Sequence, residues 1–219
     1  MVYPNFREEK KLWKKGYEFV VGLDEAGRGP LAGPVVAAAV IMKIGNQKHS
    51  NILKNIRMFY GIKDAKKLSE KQREFFYKKL INYPSIEWGV GIVSEKIIDK
   101  INILEATKLA MLRAVNDLEI KPDFLILDGN FRIKSKIIQK PIVSADRKVF
   151  SCVAAGIIAK VTRDKLMRKL HKKYPKYGFN RHKGYGTKLH IRRLGDFGPC
   201  KIHRKTFWPV SSLVKNEII

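Results

Sequence analysis

The stretch Val20-Val-Gly-Leu-Asp24-Glu25-Ala-Gly27-Arg28-Gly29-Pro-Leu-Ala-Gly33-Pro-Val35-Val-Ala-Ala-Ala-Val-Ile-Met42 decides how the chain is read. An apolar run from Phe19 to Leu23 meets two adjacent acids, a glycine-rich turn holding one arginine, and a second apolar run from Val35 to Met42. That order spells strand, acidic strand end, turn, strand. A carboxylate at the end of a buried strand is costly to desolvate unless a cation neutralises it. Asp24 and Glu25 therefore point either to a bound cation or to an ordinary polar hairpin start. In Gly27-Arg28-Gly29 a guanidinium stands between two residues without side chains, so a phosphate or sugar can come against the backbone while the arginine reaches an anion. The bland alternative is a set of turn glycines with positive φ.

Moving outward, Ser69 followed by Gln72 forms a capping box and predicts a helix carrying Phe75, Phe76 and Leu80 inward. Ile86, Trp88, Val90 and Ile92 have the period of a strand half buried on one face. Asn102 and Glu105 cap a helix that runs to about Leu118. Phe124 to Leu127 is wholly apolar, which predicts a central strand covered on both faces and stopping at Asp128. A further strand is expected over Ile137 to Val143. After it Asp146 precedes a long helix, Phe150 to Lys173, whose Val153, Ile157 and Val161 face the sheet. Read alone, Asp146 is an acid favoured by a helix dipole, and Asp164 a surface or packing charge. Residues 43–60 are expected to hold a loop or short helix. Residues 1–16 are expected to be an N-terminal extension or a helix on the body, with Phe6, Leu12 and Trp13 as anchors.

The region after residue 174 interleaves aromatics with Arg, Lys and Gly, notably Tyr177-Gly-Phe-Asn-Arg-His-Lys-Gly-Tyr185. Rings to stack on sugar or base and cations for phosphate suit a nucleic-acid clamp. Tyr177, Phe179 and Phe207 are read as structural.

The chain has 219 residues, enough for one domain with a full core. Lys plus Arg outnumber Asp plus Glu by 45 to 20, a formal net charge of +25, so a polyanion is the expected partner unless A/T-rich coding alone supplied the lysines. The 2 cysteines lack metal-ligand spacing, no apolar run approaches a membrane span, and the N-terminus lacks a signal-peptide core. A cytoplasmic, monomeric protein with no membrane association is the expectation.

Asp24-Glu-Ala-Gly-Arg-Gly-Pro-Leu-Ala-Gly-Pro-Val-Val36 resembles the signature of type 2 ribonucleases H, the ribonuclease HII group. Ala145-Asp146, Ala159-Lys-Val-Thr-Arg-Asp164 and Asp64-Ala-Lys-Lys-Leu-Ser69 extend the resemblance. It implies an α/β, ribonuclease H-like fold with a mixed central β-sheet flanked by helices and a small helical C-terminal extension. The catalytic domain is expected over 17–219, including a substrate-clamping segment at about 174–219. The implied activity is hydrolysis of the RNA strand of RNA/DNA hybrids, and nicking 5′ of single ribonucleotides embedded in duplex DNA, leaving 3′-hydroxyl and 5′-phosphate ends. In such a protein Gly27, Arg28 and Gly29 approach the ribose 2′-hydroxyl, Lys66 and Lys67 help hold the backbone, and Tyr185 packs at the RNA to DNA junction. Ala65, Val153 and Gly156 stand where relatives carry serines.

The expected catalytic and metal-binding residues are Asp24, Glu25, Asp128 and Asp146. Four carboxylates in one pocket would take up protons unless multivalent cations neutralised them. Oxygen-only ligands select Mg²⁺ or Mn²⁺, and two such ions about 4 Å apart serve an in-line attack on a phosphodiester. Neighbours in a strand point to opposite faces, so Asp24 and Glu25 are expected to share a site only through a strand break or a main-chain contribution. A ribonuclease HIII, which usually has an extra N-terminal domain, is the nearest rival. A non-catalytic basic binding protein is the rival from another class, though a mere binder has no need of four acids.

Overall fold

A computed structural model describes residues 4–43, 59 and 61–215. The loop or short helix expected over 43–60 lies outside them, apart from Lys43 and Phe59. Five strands form one mixed sheet: β1 Val20–Ala26, β2 Val35–Met42, β3 Ile86–Val93, β4 Phe124–Asp128 and β5 Ile138–Ile142, in the order β3-β2-β1-β4-β5. The β3, β2 and β1 strands run antiparallel, whereas β4 and β5 run parallel to β1.

Strand alternation sorts the sheet's side chains into two cores. On β2, Val36, Ala38, Val40 and Met42 join one core, and Val35, Ala37, Ala39 and Ile41 the other. The first core lies under α1 (Arg7–Trp13), α2 (Glu70–Ile81) and α4 (Phe150–Lys173); the second lies under α3 (Glu95–Asn116). The helix expected at Phe150 to Lys173 therefore forms with those bounds, and its first three turns are buried on every side. A Cβ on Gly22 would stand 2.4 Å from the α4 backbone at Ser151 and Cys152, so only glycine lets β1 and α4 approach this closely.

α1 is the helix on the body, and it forms part of the first core. Phe6, Leu12 and Trp13 are buried in it, and the Phe6 ring stacks on Phe150 at 4.5 Å. Its Glu9, fully buried, accepts from the Ser151 amide at 3.0 Å and the Ser151 hydroxyl at 2.8 Å, capping α4 from 142 residues away.

Three local expectations are corrected. Phe75 points outward, 53% exposed, with the Lys79 ammonium 4.3 Å from its ring centre, while Phe76 and Leu80 do turn inward. On β3 the better buried face is not Trp88 and Val90 but Glu87, Gly89, Gly91 and Val93. The two glycines lie against α3, where a Cβ on Gly91 would meet the Ala110 carbonyl at 1.9 Å. Asn102 does cap a helix, its Oδ1 accepting from the Leu104 and Glu105 amides at 2.9 and 3.1 Å. Its φ of 64° marks a kink, however, and an unforeseen segment from Glu95 precedes it.

The C-terminal region holds α5 (Phe179–His182), α6 (Lys188–Phe197) and α7 (Val210–Lys215). It is stitched to the loop after β1: the Leu31 amide donates to the Gly184 carbonyl, the Gly33 amide to Ile202, and the Arg204 amide to Leu31, at 2.8 to 2.9 Å. Tyr177 and Phe179 are buried and stacked, as structural aromatics should be. No helix among the described residues is long and apolar enough to cross a membrane.

Candidate active site

The expected break in β1 does not occur. The strand stays paired with β2 through Ala26 and Val36, whereas its pairing with β4 ends at Leu23 and Leu127. Past that point, among the described residues, β1 pairs with no strand on its β4 side, which leaves a notch at the end of the sheet. Asp24 lies on the α4 face with Val20, and Glu25 on the α3 face with Val21 and Leu23. Both residues nevertheless line one cleft of about 340 Å³ at that notch. The cleft also takes in Asp146, the Gly27-Arg28-Gly29 loop, Lys66 and Tyr185.

Asp128 stands beside the cleft at the end of β4. Its Oδ1 accepts from the Ala145 amide at 2.7 Å and the Asp146 amide at 3.4 Å, tying the short 3-10 turn Ala145–Arg147 to the strand. Asp146 meets the Lys66 ammonium at 3.5 Å, and Glu25 meets the Arg28 guanidinium at 3.4 Å. Lys67 follows in the same turn as Lys66 but does not line the cleft.

Burial pushes the Asp24 carboxyl well above the usual carboxylate range, and repulsion from Glu25, Asp128 and Asp146 adds to it. Glu25 is raised mainly by burial, against the pull of Arg28, and feels Asp128 as well. Asp128 is raised by burial and then by Asp146, offset by its two amide donors. Burial works against the Lys66 ammonium, but Asp146, Asp24 and Asp64 together hold its pKa above the usual lysine value.

Among the described residues no three His, Cys, Asp or Glu side chains form a ready-made clasp for an ion, because these carboxylates turn toward protein donors. The donor set still suits a hard divalent cation. It is all oxygen, its acids are mutually repelling, and Glu25 Oε2 is buried without a hydrogen-bond partner.

Residues 21–210 match the family described as Ribonuclease HII. The chain belongs to the ribonuclease HII family. It is 49% identical over 217 residues to the ribonuclease HII of Chlamydia muridarum, covering 97% of this chain and 94% of that one. The Chlamydia trachomatis serovar A protein is 48% identical over 216 residues, covering 96% and 94%. The crystal structure of ribonuclease H2 from Pyrococcus horikoshii superposes with a TM-score of 0.71 at 30% identity, covering 90% of this chain and 98% of that one. The chain is thus an endonuclease, a ribonuclease H that hydrolyses phosphodiesters in RNA/DNA hybrids.

For a ribonuclease HII the two loop glycines have different neighbours. A Cβ on Gly27, at φ +100°, would stand 2.0 Å from Arg163 Nε, so the protein's own packing demands glycine there. A Cβ on Gly29 would meet only Tyr185 Cε1, at 4.0 Å. Gly29 and the half-exposed Tyr185 line the same cleft close together, with about one methyl's width between the Gly29 backbone and the ring.

Lys160 and Asp64 also line the cleft, and the sequence reading did not place them in the site. Lys160 pairs with Asp164 at 2.7 Å, and burial lowers its pKa against that partner's pull. Its signal was the spacing Gly156, Lys160, Asp164, which puts all three on one helical face. Gly156 lies against Asp24, where a Cβ would come within 2.2 Å of Oδ2. Asp164, read as a surface or packing charge, is buried. Asp64 caps the Ala65–Lys67 turn by accepting from the Lys66 amide at 2.9 Å, which aims Lys66 at Asp146.

Proposed function

We propose that this ribonuclease HII cuts the RNA strand of RNA/DNA hybrids and also nicks duplex DNA on the 5′ side of a single embedded ribonucleotide, leaving 3′-hydroxyl and 5′-phosphate ends. The observation that carries the reading is the side-chain-free Gly29 backbone set close to Tyr185 in the cleft that Asp24 and Glu25 also line. Gly27, Arg28 and Gly29 present backbone that reaches the 2′-hydroxyl, the group that separates RNA from DNA. Tyr185 packs against the following deoxynucleotide. Arg28, Lys66 and, from the outer edge, Lys67 meet the phosphates.

Asp24, Glu25, Asp128 and Asp146 hold divalent cations, Mn²⁺ or Mg²⁺, in this reading. Two such ions, when bound, activate water and stabilise the leaving oxygen. The chain's residues supply the rest. Burial keeps the acids ready to exchange protons for a cation. Asp128 steadies the Asp146 turn through two amides, and Lys66 holds the Asp146 carboxylate toward the cleft. Residues 17–219 act as one catalytic domain, 174–219 serving as the clamp, in a monomeric cytoplasmic enzyme.

The deciding experiment uses a duplex bearing one ribonucleotide, with Mg²⁺, Mn²⁺ or chelator, and maps the nick and its ends. A 5′-side nick that needs the metal is expected. Asp128→Asn should abolish turnover while leaving substrate binding largely intact. Unchanged turnover in that variant removes Asp128 from the site.

A further inference from the structure

Two arginines, Arg163 and Arg204, are fully buried behind the cleft, and among the described residues neither forms an ion pair with a carboxylate. Their side-chain partners are backbone carbonyls. Arg163 donates through Nε to Pro34 at 2.9 Å, through Nη2 to Ala32 at 3.2 Å and through Nη1 to Lys183 at 3.0 Å. Arg204 donates to Gly27 at 2.6 Å, Arg28 at 2.8 Å and Gly33 at 2.9 and 3.0 Å. Burying a guanidinium without a counter-ion is expensive and is tolerated only where its donors are met by well-placed acceptors.

Each fork therefore grips the loop that carries Gly27, Arg28 and Gly29. Arg163 spans from that loop to Lys183, two residues before Tyr185, and its guanidinium lies 5.8 Å from the Tyr185 ring centre. Three glycines make the contact possible. Gly27 abuts Arg163, Gly33 abuts Met167, and Gly184 abuts the Ala32 carbonyl, each closer than a Cβ allows. The bridge between Ala32 and His203 completes the seam.

We propose that Arg163 and Arg204 are positioning residues that fix the gap between the Gly27–Gly29 backbone and Tyr185, and with it the preference for an RNA to DNA junction over a continuous RNA strand. This rests on the reading of that gap as the seat of the ribose and the following deoxynucleotide. A planar fork with five donors is needed; a lysine keeps the charge but satisfies fewer carbonyls and at other angles. The acids are held by the pairing of β1 with β2 and by the amides that Asp128 accepts from, and neither fork bonds to them, so the chemistry is expected to outlast the loss of the ruler.

The test compares kcat/KM on a one-ribonucleotide duplex with kcat/KM on an all-RNA hybrid strand for the native enzyme, Arg163→Lys and Arg204→Lys. Each variant should lower the ratio about tenfold or more, as displacements near 1 Å at a site do, with hybrid cleavage much less affected. A constant ratio alongside a lower melting temperature makes the arginines mere braces and overturns the proposal. Amide exchange supplies a readout that involves neither substrate nor a variant that must fold. In the native enzyme the Leu31 and Gly33 amides should be as protected as those of β2. Fast exchange there also overturns it. A native enzyme that shows no junction preference, with those amides protected, instead refutes the reading of the gap and leaves the arginines as scaffold.

Discussion

An alanine methyl at Gly29 would sit in open cleft, touching Tyr185 at ordinary distance, while the same methyl at Gly27 would collide with Arg163. The two substitutions should therefore separate. Gly29→Ala is expected to melt within about 0.5 kcal/mol of the native protein, as exposed sites do, yet to lose about tenfold or more in cleavage at a lone ribonucleotide. Gly27→Ala should lower the melting temperature as well, because its φ and its neighbour both exclude a side chain. Calorimetry beside a cleavage assay distinguishes them. The sequence marked both glycines as places where backbone meets a ligand. Arg163, 136 positions away from Gly27, was invisible as the reason for one of them. The raised acids carry their own prediction. Protons stabilise Asp24 and Glu25 at low pH and a divalent cation can replace them at high pH. Added Mn²⁺ should raise the melting temperature more at about pH 8 than at about pH 5, and equal gains would count against carboxylate ligation there.

Among the elements, α1 shows how much a short helix can contribute through one residue. Glu9 is pushed up to about 7 by burial, only partly countered by its bonds from Ser151. A carboxyl raised in the folded state leaves the protein unpenalised below the unfolded value of about 4.5 and costs stability progressively as pH climbs to about 7. Relative to the native chain, Glu9→Gln should thus gain about 3 kcal/mol between about pH 5 and pH 8. Denaturant melts at both ends of that window measure it, and a pH-independent difference would place Glu9 in contact with water. Elements written as continuous apolar runs or as one long helical pattern were legible: β2, β4 and α4 all formed where the pattern put them. Those that depend on a partner were not. The buried face of β3 is its glycine face because α3 packs on bare backbone there, and periodicity scores a glycine as nothing. The acids of β1 share a cleft because β4 is too short to cover them, a property of the neighbour rather than of β1.

For the molecule as a whole, the formal charge of +25 sets the terms on which it meets a polyanion. If the cleft's basic rim and the clamp engage several phosphates, affinity for a hybrid should fall by roughly 10³ between about 50 and 200 mM salt, with a linear log–log slope. Filter binding across that range reads the slope directly, and a flat line would assign the lysine excess to coding bias. At this scale the sequence disclosed the family, because the acidic strand and its glycine loop carry one long signature that Asp64–Ser69 and Ala145–Asp164 extend. It did not disclose that the glycine loop and the C-terminal clamp are one hydrogen-bonded unit.

That union has a consequence for how the protein is made. The carbonyls that Arg204 holds lie 171 to 177 residues before it, so translation delivers all four acids before the anchor of the loop beside them. A growing or prematurely ended polypeptide carries the acids with nothing to set the loop beside them. Incomplete copies lack the seam that sets that loop against Tyr185, so discrimination of a junction is expected to begin only once nearly the entire chain has been made.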